Sequence, residues 1–346
     1  MYKPGSIDFS IIICSFNPDE RLLNRCLQAI ANFDVEEFNY EVILVDNNSK
    51  PLLNTFSYIQ DFLNLGHSKY LIAPEQGLVY ARIKGIEEAD GKYIVFFDDD
   101  NEPEKDYLIQ LYKLYTLYPN VAAWGPGNIW VEFIDGIPSS IKKSTVTYTK
   151  NIFQEKHESY ITFANIRNWQ SCYPYGTGLS IKQQFLKGYV QKTKQGAFRA
   201  TGRKGSLLSS GEDLQMVLFC INESAAAGVS PSLKTKHLIP HKRAKFGYLK
   251  RLVFGTNLSF HPSLKEVLEE YQVYLENSAI SKQRFQKKAF LKYISVFFSK
   301  DQVKALELIK YIALTCGSYL AIRRPIPKLP MWILRSLGIS TKNLPI

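Results

Sequence analysis

Apolar runs of three to six residues recur through the first hundred positions, most of them closed by polar residues. Phe9-Ser10-Ile11-Ile12-Ile13-Cys14 reads as a buried strand ending at Ser15-Phe16-Asn17-Pro18. Tyr40-Glu41-Val42-Ile43-Leu44-Val45 reads as a second, ending at Asp46-Asn47-Asn48-Ser49, and Tyr70-Leu71-Ile72 as a short third. Tyr93-Ile94-Val95-Phe96-Phe97 is a fourth, and it runs into three consecutive acids, Asp98-Asp99-Asp100. Between these runs the period lengthens. Leu22, Leu23, Cys26, Leu27 and Ile30 mark a helix over 19–33, and helices are predicted over 51–65 and 76–89. Repeated strand–helix alternation predicts βαβ units and a parallel sheet, in which ligands bind beyond the carboxyl ends of the strands. Asp46 and Asp98–Asp100 both fall at such ends, so they are read as parts of one site.

The pattern changes after Pro103. A helix is predicted over 107–118, extended segments over 121–135 and 145–149, and no clear element over 151–168. Gly176-Thr177-Gly178 forms a turn before the strand Leu179-Ser180-Ile181. Residues 186–211 hold five glycines, six basic residues and no acid, and read as a loop suited to closing over an anion. Glu212-Asp213 then opens a helix through Asn222, and Leu233–Leu238 is a predicted strand. From Tyr248 onward the chain reads as helical hairpins.

Composition sets the class. Of 346 residues, 45% are apolar, enough for a sizeable core and against disorder. Five cysteines without paired spacing give neither a zinc pattern nor a disulfide framework, which favours a reducing compartment. No signal-peptide pattern is read at Met1-Tyr2-Lys3-Pro4, so a cytoplasmic location is expected. The net charge of +11 is one-sided: residues 1–240 carry 24 Lys+Arg against 26 Asp+Glu, and residues 241–346 carry 19 against 6. A basic last third suits nucleic acid, an anionic membrane surface or a plain solvated helical face.

The acidic triplet carries the chemistry. Clustered carboxylates at a buried strand's end repel one another and call for a compensating cation. Their oxygens suit a hard divalent ion, Mg2+ or Mn2+, which keeps positions free to grip a diphosphate.

In their order, these segments resemble the family-2 glycosyltransferases of GT-A fold. The resemblance spans roughly 8–243. It rests on residues 10–17, 41–49, 77–86 and 91–100, then on Gly176-Thr177-Gly178, Gly211-Glu212-Asp213 and His237. It implies a Rossmann-like mixed sheet flanked by helices, an α/β architecture, with a C-terminal α-helical extension. The domains implied are a catalytic domain over 1–245 (nucleotide half to about 103, acceptor half to 245) and a basic helical region over 246–346. The implied activity is inverting transfer from a nucleotide sugar, a UDP-sugar foremost, to a glycan or lipid-linked acceptor hydroxyl. Carried over by position, Ser15, Phe16 and Asn17 would line the base, with Asn48 and Gly178 also on the donor. Asp46 would bond base or ribose, and Arg82 would sit between base and acids. Asp98 and Asp100 would form the metal-binding pair, with Asp98 and Asp99 near ribose and sugar. An acid at Asp99 departs from the small residue more common there. His237 would complete the metal site and Arg243 would contact phosphate. Asp213 would be the general base, with Glu212 beside it.

Other readings remain. A nucleotidyltransferase also uses paired acids, but brings a Gly-rich turn after its first strand, where this chain has Ser15-Phe16-Asn17-Pro18. A scaffold with a dead site is opposed by intact Asp98, Asp100 and Asp213. No recognised nucleic-acid motif accompanies the basic residues, so nucleic acid is not the expected partner. Two apolar stretches in the last third, Tyr311–Ile322 and Met331–Leu334, are too short to span a bilayer and are expected to touch it peripherally, at the inner face of the cell membrane.

Overall fold

The computed structural model describes residues 7–35, 38–198, 208 and 210–341. They group into two compact units. The first comprises residues up to Glu132, Gln154–Arg199 and Glu212–Ile239; the second comprises Phe133–Phe153, Ala200–Gly211 and Pro240–Ile346.

In chain order the elements are β1 (Phe9–Ser15), α1 (Glu20–Ala31), β2 (Tyr40–Asp46), α2 (Ser57–Leu63), β3 (Ser68–Ile72), α3 (Leu78–Glu87), β4 (Tyr93–Asp98), β5 (Asn101–Pro103), α4 (Tyr107–Leu117) and β6 (Val121–Phe133). Then come α5 (Val146–Ile152), β7 (Lys156–His157), β8 (Thr162–Ala164), β9 (Leu179–Lys182), α6 (Gln183–Lys194), α7 (Glu212–Asn222) and β10 (Ala226–Ile239). The last third holds α8 (His241–Ala244), α9 (Phe246–Val267), α10 (Tyr271–Ser278), α11 (Lys282–Ser299), α12 (Gln302–Ala321) and α13 (Lys328–Ser336).

The strands form one mixed sheet in the order β3-β2-β1-β4-β9-β6-β10-β5, with β7 beside β6 and β8 beside β10. β3, β2, β1 and β4 are parallel, as the alternation predicted, while β9 joins β4 antiparallel. The register sets Cys14 beside Val45 and Asp98, so the ends of β1, β2 and β4 are level. Both sheet faces are covered, which is why these strands are apolar throughout rather than alternating. Phe9, Ile11 and Ile13 meet Leu23, Leu27 and Ile30 of α1 and Leu108 and Leu111 of α4 on one face. On the other, Ile12 lies so close to Gly85 of α3 that a Cβ there would sit 2.7 Å from its Cγ2. Asp19 starts α1 by accepting from Arg21 N at 3.3 Å.

Three local expectations fail. Residues 145–149, read as extended from their β-branched composition, enter α5, where Thr149 is buried and its hydroxyl donates to Thr145 O. Packing overrides the weak strand preference of threonine and valine. The expected loop over 186–211 begins as α6, because Leu186, Tyr189 and Val190 bury one helical face; Gly188 sits against the Phe219 ring. Residues 199–207 and 209 of that loop lie outside the described residues. Asn101–Pro103, just past the acidic triplet, is a short strand paired with β10. Tyr311–Ile322, read as a surface stretch, lies mostly inside the second unit. There Ile312, Ala313, Cys316 and Tyr319 of α12 are buried, and α12 approaches α9 so closely that a Cβ on Gly317 would lie 2.5 Å from Leu258 O. Of Met331–Leu334, only Trp332 is exposed. Among the described residues, no helix is long and apolar enough to cross a membrane.

Candidate active site

The site is built at the carboxyl ends of β1, β2 and β4 and at the start of α7, all in the first unit. Asn101 organises the acidic turn. Its Oδ1 accepts from Asp98 N at 3.0 Å and its Nδ2 donates to Asp100 Oδ1 at 3.0 Å, so the three acids leave β4 in different directions. Asp98 is partly exposed and Asp100 is buried. Asp99 Oδ2 accepts from the Ser15 hydroxyl at 2.6 Å, tying the β4 turn to the end of β1. Asp100 Oδ2 lies 3.5 Å from His237 Nε2, brought there by β10, and Asp100 O accepts from Leu238 N at 2.8 Å.

Arg82 of α3 joins the two halves of the site. It is buried, its NH2 3.5 Å from Asp98 Oδ1 and its NH1 3.2 Å from Glu212 Oε1. Its guanidinium carbon lies 5.4 Å from the centre of the Phe96 ring. Burial alone would push this guanidinium down, but Glu212, then Asp98 and Asp213, outweigh it and its pKa is raised. Arg82 therefore compensates Asp98 of the acidic cluster together with Glu212. Asp213 is buried, and its Oδ2 accepts from Gly176 N at 2.8 Å, fixing the helix start against the Gly-rich turn. Two acids in the first turn of α7 also meet the positive end of its dipole. Tyr175, half exposed and stacked obliquely on Trp169 at 5.4 Å, has its hydroxyl pKa raised by burial and by nearby Asp213.

The β1 and β2 ends are braced separately. Asp46 is fully buried: Oδ1 accepts from Ser49 N at 2.7 Å, and Oδ2 from Leu53 N at 2.9 Å and the Tyr70 hydroxyl at 2.6 Å. The carboxylate expected on base or ribose thus braces the turn that follows it. Asn17, in the left-handed region at φ 45°, donates its N–H to Ser49 Oγ at 3.0 Å and accepts from Lys50 N at 2.9 Å. Phe16 is exposed beside it. Asn48 (φ 66°) donates to Pro74 O at 3.3 Å. Gly178 has a structural reason: its φ is 65° and its carbonyl accepts from the buried Tyr107 hydroxyl at 2.6 Å. Arg243 belongs to the second unit, 6.0 Å from the Tyr248 ring centre.

Three supporting residues escaped the sequence reading. Asn47 donates to Ala73 O and Glu75 O and accepts from Gly77 N, holding the start of α3 and hence Arg82. Tyr70 and Asn101 were the others. Asn47 and Asn101 carried only the signal of position, polar side chains just past strand ends, and Tyr70, in the middle of β3, carried none.

Among the described residues, no group of three or more His, Cys, Asp or Glu side chains is placed to hold a metal unaided. The donors present still fit a hard divalent ion. Buried Asp100 and His237 face one another and Asp98 opens to solvent; such ions commonly take one or two carboxylates and complete their shell with substrate phosphate and water.

A family model described as Glycosyl transferase family 2 matches residues 10–169. A dolichyl N-acetyl-alpha-D-glucosaminyl phosphate 3-beta-D-2,3-diacetamido-2,3-dideoxy-beta-D-glucuronosyltransferase of Methanococcus voltae is 32% identical over 100 residues, 29% of this chain and 31% of that protein. The glycosyltransferase AglE of Haloferax volcanii is 35% identical over 104 residues, 29% of this chain and 32% of that protein. The matches thus span about a third of these relatives' length. Among solved structures, the mannosyltransferase PcManGT of Pyrobaculum calidifontis, in complex with GDP-Man and Mn2+, superposes with a TM-score of 0.54 at 13% identity, covering 92% of this chain and 88% of that one. That likeness is one of fold.

Proposed function

From the premise that this chain belongs, through residues 10–169, to glycosyl transferase family 2 on a GT-A fold, we propose that it moves a sugar from a nucleotide diphosphate, a UDP-sugar foremost, to an acceptor hydroxyl with inversion. The observation that carries this reading is Arg82. It binds the acidic end of β4 and Glu212 at the start of α7 into one buried network, with Asp213 alongside. On this reading the donor side and an acceptor-side carboxylate share one cation.

Asp98, Asp100 and His237 would hold Mn2+ or Mg2+, which supplies charge neutralisation for the departing diphosphate. The Mn2+ in the complex of the Pyrobaculum protein supports a divalent metal. Phe16, Asn17 and Asn48 face the base, with Ser15 and Asp99 fixing the floor between them. Asp46 acts on the nucleotide through the turn it braces, and Gly178 through the turn it allows.

Asp213 is the general base. It accepts the acceptor's proton as that oxygen attacks the anomeric carbon and the bond to the diphosphate breaks. Its hydrogen bond from Gly176 N keeps it aimed, and Glu212 is held in place by its pairing with Arg82. Trp169 and Tyr175 form the apolar platform for the acceptor sugar ring. Residues 1–245 are the catalytic domain and 246–346 an accessory region. The acceptor is a glycan or lipid-linked saccharide of polysaccharide or glycolipid assembly, met by an enzyme held peripherally at the cytoplasmic face of the membrane. A panel of nucleotide sugars with Mn2+, read by nucleotide-diphosphate release, tests the reading. One donor should be turned over well above the rest, and no release from any donor across a broad acceptor panel would refute it.

A further inference from the structure

Helix α11 turns an apolar stripe toward solvent. Phe285, Ala289 and Val296 bury one side of it, yet Phe290, Leu291, Ile294, Phe297 and Phe298 are all exposed, Phe297 at 64% and Phe298 at 79%. These five positions span an arc of about 120° at 3.6 residues per turn. The stripe is extended by exposed Trp332 of α13, whose ring meets Tyr293 of α11 at 5.5 Å. Scattered exposed apolar residues need no explanation, but a contiguous aromatic patch marks an interaction surface.

Charge says what covers it. Residues 279–300 contain six Lys and Arg and no Asp or Glu, and no acid follows Glu307 to the end of the chain. Lys287 precedes the stripe by one turn, and Arg284, Lys288 and Lys292 line one flank. A second copy of the chain would bring like charges together. An acidic surface with an apolar interior satisfies both features at once: the rings enter the headgroup–acyl boundary while long basic side chains reach the headgroups.

We propose that the solvent face of α11, with Trp332 of α13, is an interfacial docking surface for an anionic lipid bilayer, with the α11 axis parallel to the membrane plane. This rests on the peripheral-membrane part of the functional reading and moves the contact from Tyr311–Ile322, which is buried, to a different helix. It does not depend on the transfer chemistry.

The test is co-sedimentation of the full chain with vesicles of phosphatidylglycerol mixed into phosphatidylcholine, or of phosphatidylcholine alone. Two variants are compared, Phe297→Ser/Phe298→Ser and Lys287→Glu/Lys288→Glu; all four side chains are exposed, so the fold is not at stake. Binding should need the anionic lipid and fall with salt. It should weaken by at least about fivefold for each cation removed, since one basic residue near such a surface contributes about that factor. It should weaken at least as much in the serine variant, while UDP binding in solution stays that of the wild type. Failure of the wild type to pellet, equal pelleting of the serine variant, or a lipid-free dimer that this variant dissolves would each overturn the proposal. Loss of transfer activity with pelleting intact would count against the catalytic reading and leave this one standing.

Discussion

Replacing Arg82 by methionine removes the cation at the centre of the site and keeps most of the side chain's apolar bulk. The Arg82–Glu212 pair is 3.2 Å long with the two side chains only 6% and 5% exposed. Breaking a buried ion pair by removing one partner destabilises by about 3–5 kcal/mol. The second contact, to Asp98, is 3.5 Å and Asp98 is 35% exposed, so solvent screening holds it to about 1 kcal/mol or less. The sum is a loss of about 4 kcal/mol, nearly all of it through Glu212. It follows that Glu212→Gln should restore most of the loss when added to Arg82→Met, although alone it also destabilises. The assay is a double-mutant cycle by urea denaturation, followed through a first-unit probe such as near-ultraviolet dichroism of buried Trp124. Additive effects of the two substitutions, or a loss below about 1 kcal/mol for Arg82→Met, would refute the claim that Arg82 compensates the acids. Arg82→Lys should recover only part, since one ammonium cannot fork between two carboxylates.

Asp213→Asn should lower turnover by about 100-fold or more with nucleotide affinity nearly unchanged, read by steady-state kinetics and calorimetry; substantial retained transfer would move the base to Glu212. Gly178→Ala should destabilise the first unit by about 2 kcal/mol in thermal or urea melts, because its φ is 65° and the new Cβ would lie 2.6 Å from the Tyr107 hydroxyl. His261, whose Nδ1 lies 2.9 Å from the Tyr271 hydroxyl, is held down to about 4 by burial. Its folded pKa is below its unfolded value of 6.5, so its contribution is complete above that value and is lost as the pH falls toward 4. The loss is about 3 kcal/mol at most, and His261→Asn should flatten this part of the stability–pH curve.

The first hundred residues were legible because both faces of their strands are covered. Continuous runs such as Tyr93–Phe97 then leave little doubt of a parallel sheet, and the polar residues that end them mark the site edge. Arg82, Glu212 and Asp213 were named from the resemblance, but their junction was not visible: it depends on α3 and α7 meeting across 130 residues of chain. Asp46 has a bracing role that the sequence did not show: three internal donors, Ser49 N, Leu53 N and the Tyr70 hydroxyl, hold its carboxylate in the fold. The helix α6 was hidden by Gly188 and scattered lysines, and Tyr311–Ile322 by the lack of any sequence signal for which apolar face finds a partner.

The measurement closest to the central claim is calorimetric titration of UDP into the full chain with Mn2+ and with chelator, repeated for Asp100→Asn. The account predicts clear binding with Mn2+, much weaker binding with chelator, and an Asp100→Asn protein that no longer distinguishes the two. Equal affinity for UDP in Mn2+ and in chelator would contradict it.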